Sequence, residues 1–173
     1  MKYLGLGDIS SFLTRVMSCP KSELVDRAVS ALRGIGALTA NDELTPLGYR
    51  LAKMPMNPQI GKMVLMGVIF RCLDPVLTLA AALDMGKDPF YIKGKREKIR
   101  EAKLQISCQS ESDHLTIVYA VNAYIEAKDN PEVSLKRFLR ETFLSKDTID
   151  KILKLKFELR KCLKDQGYVI SGT

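Results

Sequence analysis

The sequence predicts a mainly α-helical protein with one small β-hairpin near its start. Three observations carry that expectation. From Ser22 onward, apolar residues recur at helical spacing over most of the chain. Only around the Asn41-Asp42 turn do two short apolar-bearing segments, Ala37-Leu-Thr39 and Glu43-Leu-Thr45, read as paired strands. Hydrophobic residues make up 46% and charged residues 27% of the 173 positions, which suits a packed core and argues against disorder. A chain of this length forms one large domain or two small ones.

The elements follow in order. Phe12, Leu13, Val16 and Met17 suggest an early helix, ended by the turn at Ser18-Cys-Pro-Lys. Ser22 is expected to cap a helix running to about Arg33, with Leu24, Val25, Ala28, Val29, Ala31 and Leu32 on one face. Gly34 and Gly36 stop it. After the hairpin, Thr45-Pro46 is a helix start, with Thr as N-cap and Pro in the first turn. Pro55 and Pro58 are expected to end that short helix. Helix, tight hairpin and helix make the back half of a winged helix.

Beyond Pro58 only helices are expected. Gln59 to Cys72 is apolar on nearly all sides and reads as a central core helix. A second buried helix from Pro75 to about Leu83 would take Asp74 as N-cap. Lys87-Asp-Pro-Phe90 is a loop, and Lys93 to Ile106 a polar helix. Ser110-x-x-Asp113 resembles a capping box and opens a helix to about Lys128, broken at Asn130-Pro131. A short helix near Ser134–Thr142 precedes a last one from about Lys146 to Gln166, closed by Gly167.

Several chemistries lack their usual parts. Cys19, Cys72, Cys108 and Cys162 are far apart, so no CxxC pair serves zinc or redox work. Buried or incidental thiols fit a reducing compartment, cytoplasm or nucleus. His114 is the only histidine, and next to Asp113 it has no third partner for catalysis. No GxxxxGK[ST] loop is present to cradle a nucleotide triphosphate. Residues 1–10 have no apolar h-region, so no signal peptide is expected. The apolar stretch from Met63 to Met85 is interrupted by Arg71, Asp74 and Pro75, so no membrane span is expected.

The formal charge is +7, and it is uneven: residues 1–91 hold 10 Lys/Arg against 8 Asp/Glu, whereas residues 92–173 hold 17 against 12. An acidic partner such as nucleic acid suits that excess. Two features qualify as binding surfaces. The run Lys93, Lys95, Arg96, Lys98, Arg100 and Lys103 can track phosphates, or can be a solvated face interleaved with Glu97 and Glu101. On the last helix, Ile149, Ile152, Leu155, Leu159, Cys162 and Leu163 share one arc at about 100° per residue. Lys156 falls at the edge of that arc, either snorkelling out or aimed into a groove where a phosphate is less screened.

An ordered motif series then points to a family. Glu43-Leu-Thr-Pro-Leu-Gly48, Leu51-Ala-Lys-Met-Pro55, Ile60-Gly-Lys-Met63, Cys72-Leu-Asp-Pro-Val-Leu-Thr78, Asp88-Pro-Phe90 and Ser112-Asp-His-Leu115 together resemble the helicase-associated region of DEAH/RHA-type ATP-dependent RNA helicases. The stretch from Phe143-Leu-Ser145 through Thr148 to Lys156 is more similar to the branch of RNA helicase A and the G-quadruplex-resolving enzymes. Asp147 and Lys156-x-Glu158 stand where splicing members tend to have Arg and Arg-x-Gln.

The resemblance implies a degenerate winged helix over residues 1–53 and a ratchet-like helical bundle over 54–173. It implies RecA-like domains ahead of this stretch, holding ATP and Mg, and an OB-fold after it. This stretch itself would hold no cofactor. The implied function is non-catalytic, lining a single-stranded RNA channel and supporting translocation. Ser145, Lys146, Thr148, Lys154, Lys156 and Arg160 are then the candidate RNA contacts, with the Lys93–Lys103 run as a secondary basic patch. The alternative is a module that docks regulatory proteins and touches no RNA.

Overall fold

The computed structural model describes residues 2–7, 9–13, 15–90, 96–107, 110 and 112–168. The chain divides into two compact units, Met1–Lys62 and Met63–Thr173. Among the described residues, regular structure is helical apart from two isolated antiparallel bridges, Leu38 with Leu44 and Phe90 with Leu144. The expected mainly α fold is the one observed.

In the first unit a 3-10 turn, Lys2–Leu4, precedes α1 (Ile9–Leu13), α2 (Ser22–Gly34), α3 (Pro46–Leu51) and the first turn of α4 (Pro58–Ile69). The early helix is shorter than Val16 and Met17 suggested, and Met17 lies in solvent. Ser22 is not the cap of α2. It is the first helical residue, and extended Lys21 precedes it without a side-chain cap bond. Of the apolar face of α2 only Val25 is buried, and Leu24 is exposed.

The hairpin is one bridge long. Thr39 N–H donates to Glu43 O at 2.8 Å, and Thr45 N–H donates to Ala37 O at 3.1 Å. Asp42 takes the left-handed turn position with φ 61°. Its carboxylate is held by Arg33 at 2.8 Å through both Nε and Nη2, a fork on a planar acceptor. Thr45 caps α3 as expected, accepting from Gly48 N–H at 3.0 Å while its hydroxyl donates to Gly36 O at 2.7 Å. α3 ends at Leu51, ahead of Pro55, and Pro58 opens α4 rather than closing α3. A proline in a first turn forfeits only an N–H that has no helical partner anyway.

α4 stops at Ile69 rather than Cys72, because Arg71 turns left-handed with φ 57°. Val64 and Leu65 are buried, but Ile69 and Phe70 are exposed, so the all-round apolar pattern overstated the burial of this helix. In the second unit follow α5 (Leu73–Met85), α6 (Arg96–Ile106), α7 (Asp113–Asp129), α8 (Leu135–Thr142) and α9 (Lys146–Asp165). Cys72, not Asp74, occupies the cap position of α5, and Cys72 is exposed. α5 runs past Leu83 to Met85, where Gly86 turns left-handed with φ 60°. Ser112, not Ser110, caps α7: its hydroxyl accepts from Leu115 N–H at 3.3 Å, and Asp113 is the first helical residue. Lys93, Lys95 and Cys108 lie outside the described residues.

α5 packs against α9 and α7, and α6 lies against α7 and α8. Fully buried Leu77, Ala80 and Ala81 of α5 meet a core that includes Val121 and Tyr124 of α7 and Ile149, Ile152 and Leu163 of α9. The alanines let the helix backbones approach closely. Thr78 is buried with them, and its hydroxyl donates to Asp74 O at 3.2 Å, so no polar cost remains.

Candidate nucleic-acid interface

The start of α9 is fixed by a loop far away in sequence. Asp88 Oδ1 accepts from Phe90 N–H at 2.9 Å, closing an Asx turn at Asp88-Pro-Phe90. The turn presents Pro89 O to Ser145 N–H at 2.9 Å, and Phe90 pairs with Leu144. Phe90 and Leu144 are both buried. Lys103 clamps the turn from α6, with Nζ 2.6 Å from Asp88 Oδ2 and 5.2 Å from the centre of the Phe90 ring.

Three predicted residues therefore do structural work. Ser145 is the N-cap of α9, its Oγ accepting from Thr148 N–H at 3.3 Å and from the Thr148 hydroxyl at 3.0 Å. That bond uses the only proton of the Thr148 hydroxyl, and Thr148 is nearly buried. Lys103 is committed to Asp88, which splits the secondary patch: Arg96, Lys98 and Arg100 remain exposed on α6.

The buried arc of α9 matches the predicted one, with Ile149, Ile152, Leu159 and Leu163 inside and Leu155 and Cys162 half-buried. Opposite it, Lys146 and Lys154 are exposed, and so is Phe157. Lys151 pairs with Asp147 at 2.6 Å along the helix, a surface pair worth little stability.

Lys156 does turn inward, and its partner is a carboxylate. Its side chain is only 14% exposed, and Nζ lies 2.8 Å from Asp74 Oδ2 on α5. Arg160, one turn further on, reaches Asp74 Oδ1 through Nη2 at 3.5 Å. Arg160 Nε is buried with no hydrogen-bond partner among the described residues. Asp74 was thus misread as a local cap. It is the second residue of α5, in the first turn, and it binds two cations from α9.

Tyr124 escaped the sequence reading. It is fully buried on α7 and donates its hydroxyl to Asp150 Oδ1 of α9 at 2.9 Å. Burial first, and then the Asp150 hydrogen bond and charge, push the phenol up to about 12. A tyrosine flanked by Ala123 and Ile125 was the available signal, since a buried phenol needs a hydrogen-bond partner. The sign of the consequence follows. The neutral phenol is favoured in the fold, so its stabilisation is complete below pH 10 and is lost as pH rises toward about 12. Tyr124→Phe is expected to flatten that alkaline loss, measured by urea unfolding between those pH values.

Among the described residues, no three His, Cys, Asp or Glu side chains are grouped to hold a metal ion. Nor, among them, is any helix long and apolar enough to cross a membrane. What the geometry offers is a helix capped and hydrogen-bonded at its start, with exposed Lys146 and Lys154 on its first half and an internally paired cation cluster further along.

Comparison with known proteins agrees with the motif series. Residues 28–56 match the helicase-associated domain (HA2), winged-helix, and residues 57–117 match the helicase-associated domain (HA2), ratchet-like. The chain is 42% identical over 172 residues to the ATP-dependent DNA/RNA helicase DHX36 of Mus musculus, covering 99% of this chain and 17% of that protein. It is 37% identical over 170 residues to the DExH-box ATP-dependent RNA helicase DExH3 of Arabidopsis thaliana, covering 98% of this chain and 14% of that protein. Against the putative ATP-dependent RNA helicase DHX57 of Mus musculus the identity is 36% over 167 residues, covering 95% of this chain and 12% of that protein. The chain therefore spans a small part of the length of these relatives.

Proposed function

The chain belongs to the helicase-associated family of the DExH-box helicases, with winged-helix and ratchet-like parts in tandem, and on that premise we propose that it is a non-catalytic module of an ATP-dependent RNA helicase. It lines one wall of a single-stranded RNA channel and helps to keep translocation directional. RecA-like domains of the same protein bind ATP and Mg and hydrolyse the nucleotide, and an OB-fold completes the channel. The protein works in the cytoplasm or nucleus.

One observation carries this reading: exposed Lys146 and Lys154 sit on α9, whose start is locked by the Ser145 cap and the Pro89 backbone bond. Positive side chains on a helix tied at its start suit phosphate contacts, which are largely independent of base sequence. A second reading, docking of a regulatory protein, is favoured by the exposed Leu24 on α2 and by Tyr49 on α3.

Fluorescence anisotropy with a labelled oligouridylate separates the two. In the RNA reading, Lys146→Glu with Lys154→Glu weakens binding about tenfold or more. It also flattens the salt dependence by about 0.7 per lost phosphate contact. An unchanged affinity and slope favours docking. ATP turnover by the purified chain contradicts the non-catalytic role.

A further inference from the structure

The cluster of Asp74, Lys156 and Arg160 holds two cations against one carboxylate. The match is incomplete. The Lys156 contact is short at 2.8 Å, the Arg160 contact is long at 3.5 Å, and Arg160 Nε is buried without a partner among the described residues. Exposure orders the three. Lys156 is 14% exposed, Arg160 43% and Asp74 53%, so the carboxylate is the member most open to solvent. An anion approaching these cations meets Asp74 first, and Asp74 repels it. A phosphodiester carries one negative charge, as a carboxylate does, but offers its oxygens in a tetrahedral rather than a planar array.

From this we propose that Asp74 is a built-in competitor for the RNA backbone, occupying Lys156 and Arg160 so that a passing phosphate is gripped only weakly. The proposal rests on the RNA-channel reading and deepens it by naming the residue that sets the grip. A strand that must advance cannot be held by every cation along its path. A pre-paired lysine and arginine leave the channel wall positive overall without creating a deep well. The two cations also lie on α9, the helix that carries exposed Lys146 and Lys154, with Lys156 about 200° round it from Lys154.

The test is the binding of a fluorescein-labelled oligouridylate to the whole chain over a range of salt concentrations. Asp74→Asn keeps the size and an acceptor oxygen but removes the charge. It is expected to tighten binding about three- to tenfold, by removing one repulsive charge at contact range. It should also steepen the salt slope by about 0.7, the signature of one more phosphate contact on a single strand. Glu132→Gln is the charge-matched control. It changes net charge equally, but it is exposed between α7 and α8, on neither α5 nor α9, and it is expected to change affinity less than twofold. In the Asp74→Asn, Lys156→Met double variant the gain should disappear.

Equal tightening by Glu132→Gln, a gain that survives Lys156→Met, or an unchanged slope in Asp74→Asn each overturns the proposal. Far-UV circular dichroism checks the fold, and Asp74→Ser replaces Asp74→Asn if the latter does not fold. Loss of fold in both marks Asp74 as a purely structural tie and overturns the proposal as well. The two levels separate cleanly. If the wild-type chain binds RNA but Asp74→Asn does not steepen the slope, this proposal alone fails. If neither wild type nor Asp74→Asn binds, the channel reading fails with it.

Discussion

Replacing Gly48 by alanine should destabilise the first unit by about 3 kcal/mol, at the upper end of what overpacking costs. A Cβ at this position would collide with Ala37 O and stand 2.8 Å from Leu44 Cδ2. The leucine can shift, but the carbonyl is pinned, since it accepts from Thr45 N–H at 3.1 Å. Relief would have to come from the same bonds that close the hairpin and cap α3. The measurement is urea unfolding, with a lower midpoint expected at an unchanged slope. A variant within about 0.5 kcal/mol of wild type would mean that the hairpin and α3 are not packed as described.

Truncating Ile152 to alanine should cost about 3–4 kcal/mol in the second unit, within the usual range for a core aliphatic residue. Ile152 is completely buried on the arc of α9. Loss of its side chain leaves a void beside residues that cannot all collapse into it. Phe157 on the same helix is the contrast: it is 69% exposed. Despite its larger side chain, Phe157→Ala should stay within about 0.5 kcal/mol of wild type. Similar losses at both sites would contradict the assignment of the two helix faces.

Those two residues mark how far local pattern reaches. α9 was legible because a long amphipathic helix states its own buried arc, although its cap, Ser145, stood in the sequence only as a candidate RNA contact. The Thr45-Pro46 start was legible because cap and first turn are both local. Where several capping residues crowd together, pattern alone chose wrongly. It gave the α7 cap to Ser110 with Asp113, and the α5 cap to Asp74, because each lies beside a helix start and has the right chemistry. The structure spends Asp74 on partners 82 and 86 residues away, which no window along the sequence can see. Ile69 and Phe70 were misread for a different reason. Apolarity on all sides predicts burial only while the helix continues, and the left-handed turn at Arg71 ends it.

The candidate interface was legible as residues but not as roles. Lys156 was placed at the rim of the buried arc, and the structure puts it there. Its carboxylate partner was not foreseen, nor was the tie from Pro89 to Ser145. Of the secondary patch, the separation of Lys103 from Arg96, Lys98 and Arg100 depended on Asp88 and Phe90, contributed by the loop after α5.

The span between Asp74 and Lys156 also sets an order of events during synthesis. The closures that define the first unit, Arg33 with Asp42 and Leu38 with Leu44, are short-range and can form as soon as that segment emerges. α5 cannot do the same. Its largest packing partner is α9, and its ion-paired residue there lies 82 residues downstream. At about 5–20 residues per second, the apolar face of α5 waits roughly 4–16 seconds on a translating ribosome before α9 arrives. During that interval the nascent second unit has an uncovered core face.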